Sequence, residues 1–243
     1  MQQHLATSWQ DWFDRQENFD TRVFERVIGF CGLLKVSEVF PYYKSASLFE
    51  FLICICLFAT STFLVFEKKS QAIFAIQFLF SLFLFWGSYI FSDYFSVEKF
   101  STHHWQLFVI CNFFLMLREN KFSRKLIPSL AILKLLLLII YACGVFVKTN
   151  LWYFSGIQAQ QIFMTTYGTS DGASKELIAL LLLMTYLSLA IEIAIPILLL
   201  TRFKKHGIFL GLVFHVIIFL SLPVSIFSFL MIGLLSLFWN TKV

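Results

Sequence analysis

The chain has 243 residues, 59% of them apolar and only 14% charged, with a mean hydropathy of +0.79 and a formal net charge of +5. Soluble domains run about 45–50% apolar and about 25% charged, so the apolar surplus here calls for lipid as its solvent. With 32 Phe, 8 Tyr and 6 Trp against 10 Gly and 4 Pro, disorder, a collagen-like fibre and nucleic-acid binding are excluded as well.

The first twenty residues contain Asp11, Asp14, Glu17 and Asp20 and no apolar run of the length a cleavable leader needs, so they are expected to stay on the protein. Within them Trp9, Trp12 and Phe13 fall at i, i+3 and i+4 behind Ser8, a spacing that predicts a short helix on the membrane surface, with a frayed, aromatic-anchored tail as the alternative. Residues 1–22 are thus an inner N-terminal segment, and 23–239 form one transmembrane domain.

Apolar runs predict spans at about 23–40, 48–66, 71–91, 105–117, 126–147 and 177–200, followed by a run over 208–239 that Pro223 divides into about 208–221 and 224–239. The expected fold is therefore an all-α, polytopic helical bundle of about eight crossings. With the N-terminus inside, Arg15, Arg22, Lys68, Lys69, Arg118, Lys121, Arg124, Lys125, Arg202, Lys204, Lys205 and Lys242 are inner, whereas Lys44, Lys99, Lys148 and Lys175 are outer. That asymmetry predicts an N-in, C-in arrangement. The longest outer segment, 149–176, carries Trp152, Tyr153 and Phe154 and then a turn-like Tyr167-Gly168-Thr169-Ser170-Asp171-Gly172, and it reads as a partly inserted lid. Cys31, Cys54, Cys56, Cys111 and Cys143 all sit in apolar stretches, where no disulfide and no metal site is expected.

An ionisable group near mid-bilayer costs about 2.5–3.5 kcal/mol on the insertion scale, so each one should face the bundle interior with a partner or a task. Counting along the helices places Lys134, Glu192 and His215 roughly 12–14 Å from the inner boundary, as one buried cluster. Thr185 and Ser188 share a helical stripe with Glu192. A second group gathers at the outer end, where His103 and His104 begin one span, Lys148 ends another and Glu38 ends the first. Lys134, Tyr141 and Lys148 recur at intervals of seven and so share a helix face. Each cluster has two readings. One is an ion-pair and hydrogen-bond network that orients helices, with Lys148 a snorkelling anchor and the histidines part of an interfacial belt. The other is chemistry, with a desolvated amine as proton acceptor beside an imidazole. No Walker A loop, dinucleotide fingerprint, HExxH, GxSxG or CxxC is present.

The passage Tyr141-Ala142-Cys143-Gly144-Val145-Phe146-Val147-Lys148, followed by Trp152 and Gly156, resembles one in the horizontally transferred transmembrane (HTTM) domain, the membrane part of vitamin K-dependent gamma-carboxylases. Glu192 with Pro196 and Arg202, then Phe214-His215, Phe227 and Met231, is similar to that family's closing segments. The resemblance covers about residues 20–240. It implies that Lys148 deprotonates a reduced naphthoquinone of the vitamin K or menaquinone type, that oxygen adds, and that the resulting alkoxide takes a proton from a glutamate that then captures carbon dioxide. His104 or His103 and His215 match assisting histidines, Glu192 joins them at the site, and Tyr141 and Trp152 line the quinone. It implies no metal. The outer domain that grips carboxylase substrates has no counterpart here, so a peptide substrate or a separate outer-domain chain is the expected partner, at a bacterial inner membrane. The alternatives are a non-enzymatic accessory or immunity factor for a secreted peptide, and a carrier with a buried proton relay.

Overall fold

A computed structural model of the chain describes residues 21–39, 48–66, 70–90, 103–120, 127–167, 175–221 and 225–239, and all the regular structure among them is α-helical. The helices are α1 (Arg22–Val39), α2 (Leu48–Val65), α3 (Gln71–Ile90), α4 (His103–Glu119), α5 (Ser129–Lys148), α6 (Leu151–Phe154), α7 (Ile157–Tyr167), α8 (Lys175–Leu199), α9 (Lys204–Ser221) and α10 (Ser225–Ser236). Eight of these coincide with the predicted spans to within a few residues. Sequences such as Leu135 to Ile140 have no water to satisfy their backbone in a bilayer, and the helix satisfies every peptide group internally.

Only α5, α8 and α9 are both long and apolar enough to cross a bilayer among the described residues, fewer than the eight expected from the apolar runs. For α1, α4 and α10 the difference has a physical origin, whereas α2 and α3 are apolar over Phe51–Val65 and Gln71–Trp86. Charges interrupt α1 (Arg22, Glu25, Arg26 and Lys35), α4 is short and ends on Arg118 and Glu119, and α10 has 12 residues, about 18 Å of helix against a hydrocarbon core of about 30 Å. The surface helix expected around Trp9, the basic residues Lys68, Lys69, Lys121, Arg124 and Lys125, and the turn at Gly168–Gly172 lie outside the described residues.

The chain forms two compact units. The first holds α1 to α4, the opening of α5 and most of α10. Here α1 packs on α2, α2 on α3 and α3 on α4, and α4 returns to α1. Polar contacts fix these seams. The Trp105 indole N–H donates to the Ser81 carbonyl at 2.9 Å while its ring stacks on Phe108 at 4.6 Å. The Gln77 amide donates to Ser61 Oγ at 2.7 Å, in the space that Gly32 leaves by having no side chain. Arg118 reaches the Glu25 carboxylate at 3.3 Å, and the Thr21 hydroxyl bonds the same oxygen. Lys134, expected beside Glu192 and His215, belongs to this unit, buried with its ammonium 5.9 Å from the Phe238 ring.

The second unit holds the rest of α5, α6 to α9 and the start of α10. Its core contact is α8 on α9, and α6 and α7 both lie against α8. The buried stripe of α8 is Thr185, Leu189, Glu192, Ile195 and Leu199, the three-and-four spacing of one helix face. Gly207 brings α9 close, since a Cβ there would stand 2.8 Å from Leu198.

Candidate functional site

Lys148 is the last residue of α5, and a helical side chain leans toward its own N-terminus. Its ammonium therefore reaches back over the preceding turn, where Gly144 presents bare backbone. Into that gap α8 delivers Glu192. Glu192 Oε1 pairs with Lys148 Nζ, and Oε2 lies 3.4 Å from where a Cβ on Gly144 would be. The glutamate side chain is 10% exposed and the lysine side chain 26%, so the pair is half-shielded rather than surface-bound. Glu192 Oε2 has no hydrogen-bond partner among the described residues.

One turn further down the same face of α5, the Tyr141 hydroxyl and His215 Nε2 of α9 are 2.8 Å apart. The imidazole is buried with Phe214 and Phe227 edge-on, at 5.3 and 5.9 Å, and its Nδ1 has no partner among the described residues. Tyr141 lies within electrostatic reach of the Glu192 carboxylate, and His215 within reach of the Lys148 charge. An amine, a carboxylate, a phenol and an imidazole from three helices thus make one polar group in an apolar unit. Its internal donors and acceptors permit proton movement from ammonium to carboxylate without any other reactant.

The lid roofs this group. Asn150, in an extended conformation with φ of −135°, stops α5 and caps α6, its Oδ1 accepting from the Tyr153 backbone N–H at 2.9 Å. The turn so started rotates Tyr153 inward and Trp152 outward. The Tyr153 ring lies 5.6 Å from Lys148 Nζ and its hydroxyl donates to the Thr185 carbonyl at 3.3 Å, whereas Trp152 is 62% exposed. The aromatic side chain over the amine is Tyr153, one position beyond the Trp152 predicted to line the site. Asn150 was the missed signal, because a cap fixes the phase of the turn that follows.

Of the residues predicted for the site, Lys148, Glu192, His215 and Tyr141 come together. Glu192 and Lys148 were expected in separate layers, and Lys134 in place of Lys148. His103 and His104 open α4 in the first unit, so within the lysine's own unit the imidazole of this group is His215. Among the described residues no group of three or more His, Cys, Asp or Glu side chains has metal-binding geometry. No protein family, curated protein or solved structure matches the chain.

Proposed function

We propose that this is a multi-pass membrane protein of about eight crossings with both ends inside, similar in kind to the HTTM domain, and that it modifies or matures a peptide at the outer face of a bacterial inner membrane using a reduced naphthoquinone. The observation that carries this reading is the setting of Lys148: a single amine, roofed by Tyr153, whose counter-ion Glu192 sits against the bare backbone of Gly144. As a base the amine must first part with its proton, and Glu192 Oε1 is the bonded acceptor that takes it. The free nitrogen then removes a proton from an acidic hydroxyl brought beneath the lid, and the ammonium re-forms its pair once the Glu192 carboxyl has released its own proton to water. The residues present fit such a ligand, since Glu192 Oε2 and His215 Nδ1 are buried positions with hydrogen-bonding capacity to spare and Phe214 and Phe227 supply apolar walls. A reduced quinone would supply the hydroxyl and the electrons that activate oxygen.

The ion pair itself favours a second reading, in which Lys148 and Glu192 neutralise each other permanently and the protein is an accessory or immunity factor. The deciding experiment is epoxide formation from a reduced naphthoquinone by the purified protein in lipid, with and without Lys148→Ala. Product that depends on the lysine supports the enzyme, and equal product from both samples ends the role of Lys148. No product under any condition supports the accessory factor, and proton flux into vesicles that disappears with Glu192→Gln supports the carrier.

A further inference from the structure

Four independent contacts hold the start of the lid on α8. The Tyr153 hydroxyl donates to the Thr185 carbonyl at 3.3 Å. From the opposite direction the Tyr186 hydroxyl donates to the Phe154 carbonyl at 2.9 Å. The Phe154 and Tyr186 rings stack at 6.1 Å with an interplanar angle of 22°. Gly156, at φ of +71°, lies so close to α8 that a Cβ on it would stand 2.8 Å from Leu182 Cδ2. All four contacts bind one short turn to one helix, and the group facing the underside of that turn is the Lys148 ammonium.

Two of the four contacts are single hydrogen bonds and the third is a ring stack, each a small term. The turn is joined to α5 only by Thr149 and Asn150 and to α7 only through Ser155 and Gly156, the latter in the left-handed conformation that favours glycine. An element docked by few weak terms, and hinged at a glycine, opens locally at far lower cost than the fold as a whole.

We infer that the Leu151–Phe154 turn is a latch over the Lys148 amine, with Tyr153 the positioning residue that closes it and Gly156 its hinge. Closed, the Tyr153 ring covers the amine. Open, Lys148 faces the exterior while Glu192, held by α8, remains at its side. The latch deepens the function proposed above as the regulation of the same amine, but it rests on contacts that hold whether or not the protein is an enzyme.

The test is the rate at which a water-soluble acylating reagent modifies Lys148 in the full chain in lipid nanodiscs, read by mass spectrometry and normalised to Lys205, an exposed lysine on α9. Tyr153→Ala and Gly156→Ala are expected to raise the normalised rate roughly tenfold, and Tyr186→Phe, which loses one hydrogen bond and keeps its ring stack, to raise it severalfold. Tyr153→Phe, which keeps the ring and loses only the tether, should raise it less. Leu151→Ala, a change at an outward-facing side chain of the same turn, should leave it unaltered. Equal rates in the wild type, Tyr153→Ala and Gly156→Ala overturn the latch. Should those two variants lose their fold, seen as equal acceleration at Lys205, Tyr186→Phe decides, since a faster Lys148 upholds the latch and an unchanged one refutes it. Epoxide formed equally without Lys148 would end the proposed role of that lysine as base and leave the latch standing, whereas equal acylation removes the latch and leaves that role.

Discussion

Cutting the Lys148–Glu192 pair from either side should have unequal consequences. Lys148→Met leaves both Glu192 oxygens without a partner on a side chain only 10% exposed, a loss of about 3 kcal/mol, at the lower end of the range for stranding a buried charge. Glu192→Leu strands a lysine that is 26% exposed and has a flexible stem, so its ammonium retreats toward water at a loss of about 1–2 kcal/mol. Lys148→Met with Glu192→Leu removes both charges and should cost no more than about 1 kcal/mol relative to wild type, giving a coupling of roughly 3–5 kcal/mol. At about 2–4 °C per kcal/mol for a chain of this size, Lys148→Met lowers the melting temperature by roughly 6–12 °C and the double variant restores most of it. Thermal unfolding of the four proteins in nanodiscs measures the cycle. Additive shifts, or a double variant less stable than either single one, would refute the pairing and the argument built on it.

Three further outcomes follow from the packing. Tyr141→Phe leaves a buried imidazole without its one hydrogen bond and should cost about 1–3 kcal/mol, with His215→Phe in the same chain recovering part of it, as the same cycle would reveal. Gly32→Ala drives a methyl group into Ser61 and toward Gln77, 3.3 Å away, and should lower stability by about 1–3 kcal/mol, whereas Gly144→Ala makes only an ordinary contact with Glu192 and should cost less than Gly32→Ala in a parallel melt. Trp105→Phe forfeits the bond to the Ser81 carbonyl and should cost about 1 kcal/mol beyond any change in packing, read as faster amide exchange along α3 and α4.

The helices were legible because lipid-facing sequence leaves little choice. Long apolar runs between polar segments matched α2 and α3 to within one residue and α5, α8 and α9 to within four, and Pro223 fell between the ends of α9 and α10. How the polar residues pair was far less legible. Counting depth from each span's inner end assumes that all helices start at one level and that side chains project sideways. Neither holds for Lys148, whose amine folds back a full turn, nor for α8, whose 25 residues outrun the 20 of α5. Spacing placed Tyr141, Lys148, Glu192 and His215 on inward faces but said nothing of which would bond. That Tyr153 and not Trp152 lies over the amine was illegible for a related reason: one residue is about 100° of helix, and only the cap at Asn150 sets the starting angle.

With Glu192 level with Gly144, the helix carrying it extends 17 residues toward its N-terminus at Lys175, about 25 Å, while α5 continues for only four residues, about 6 Å. The N-terminal half of α8 therefore runs on some 20 Å beyond the end of α5, and the turn from Leu151 to Phe154 packs on that overhang at Thr185 and Tyr186. That half of α8 has no α5 residue beside it, so loosening the turn bares α8 together with the amine.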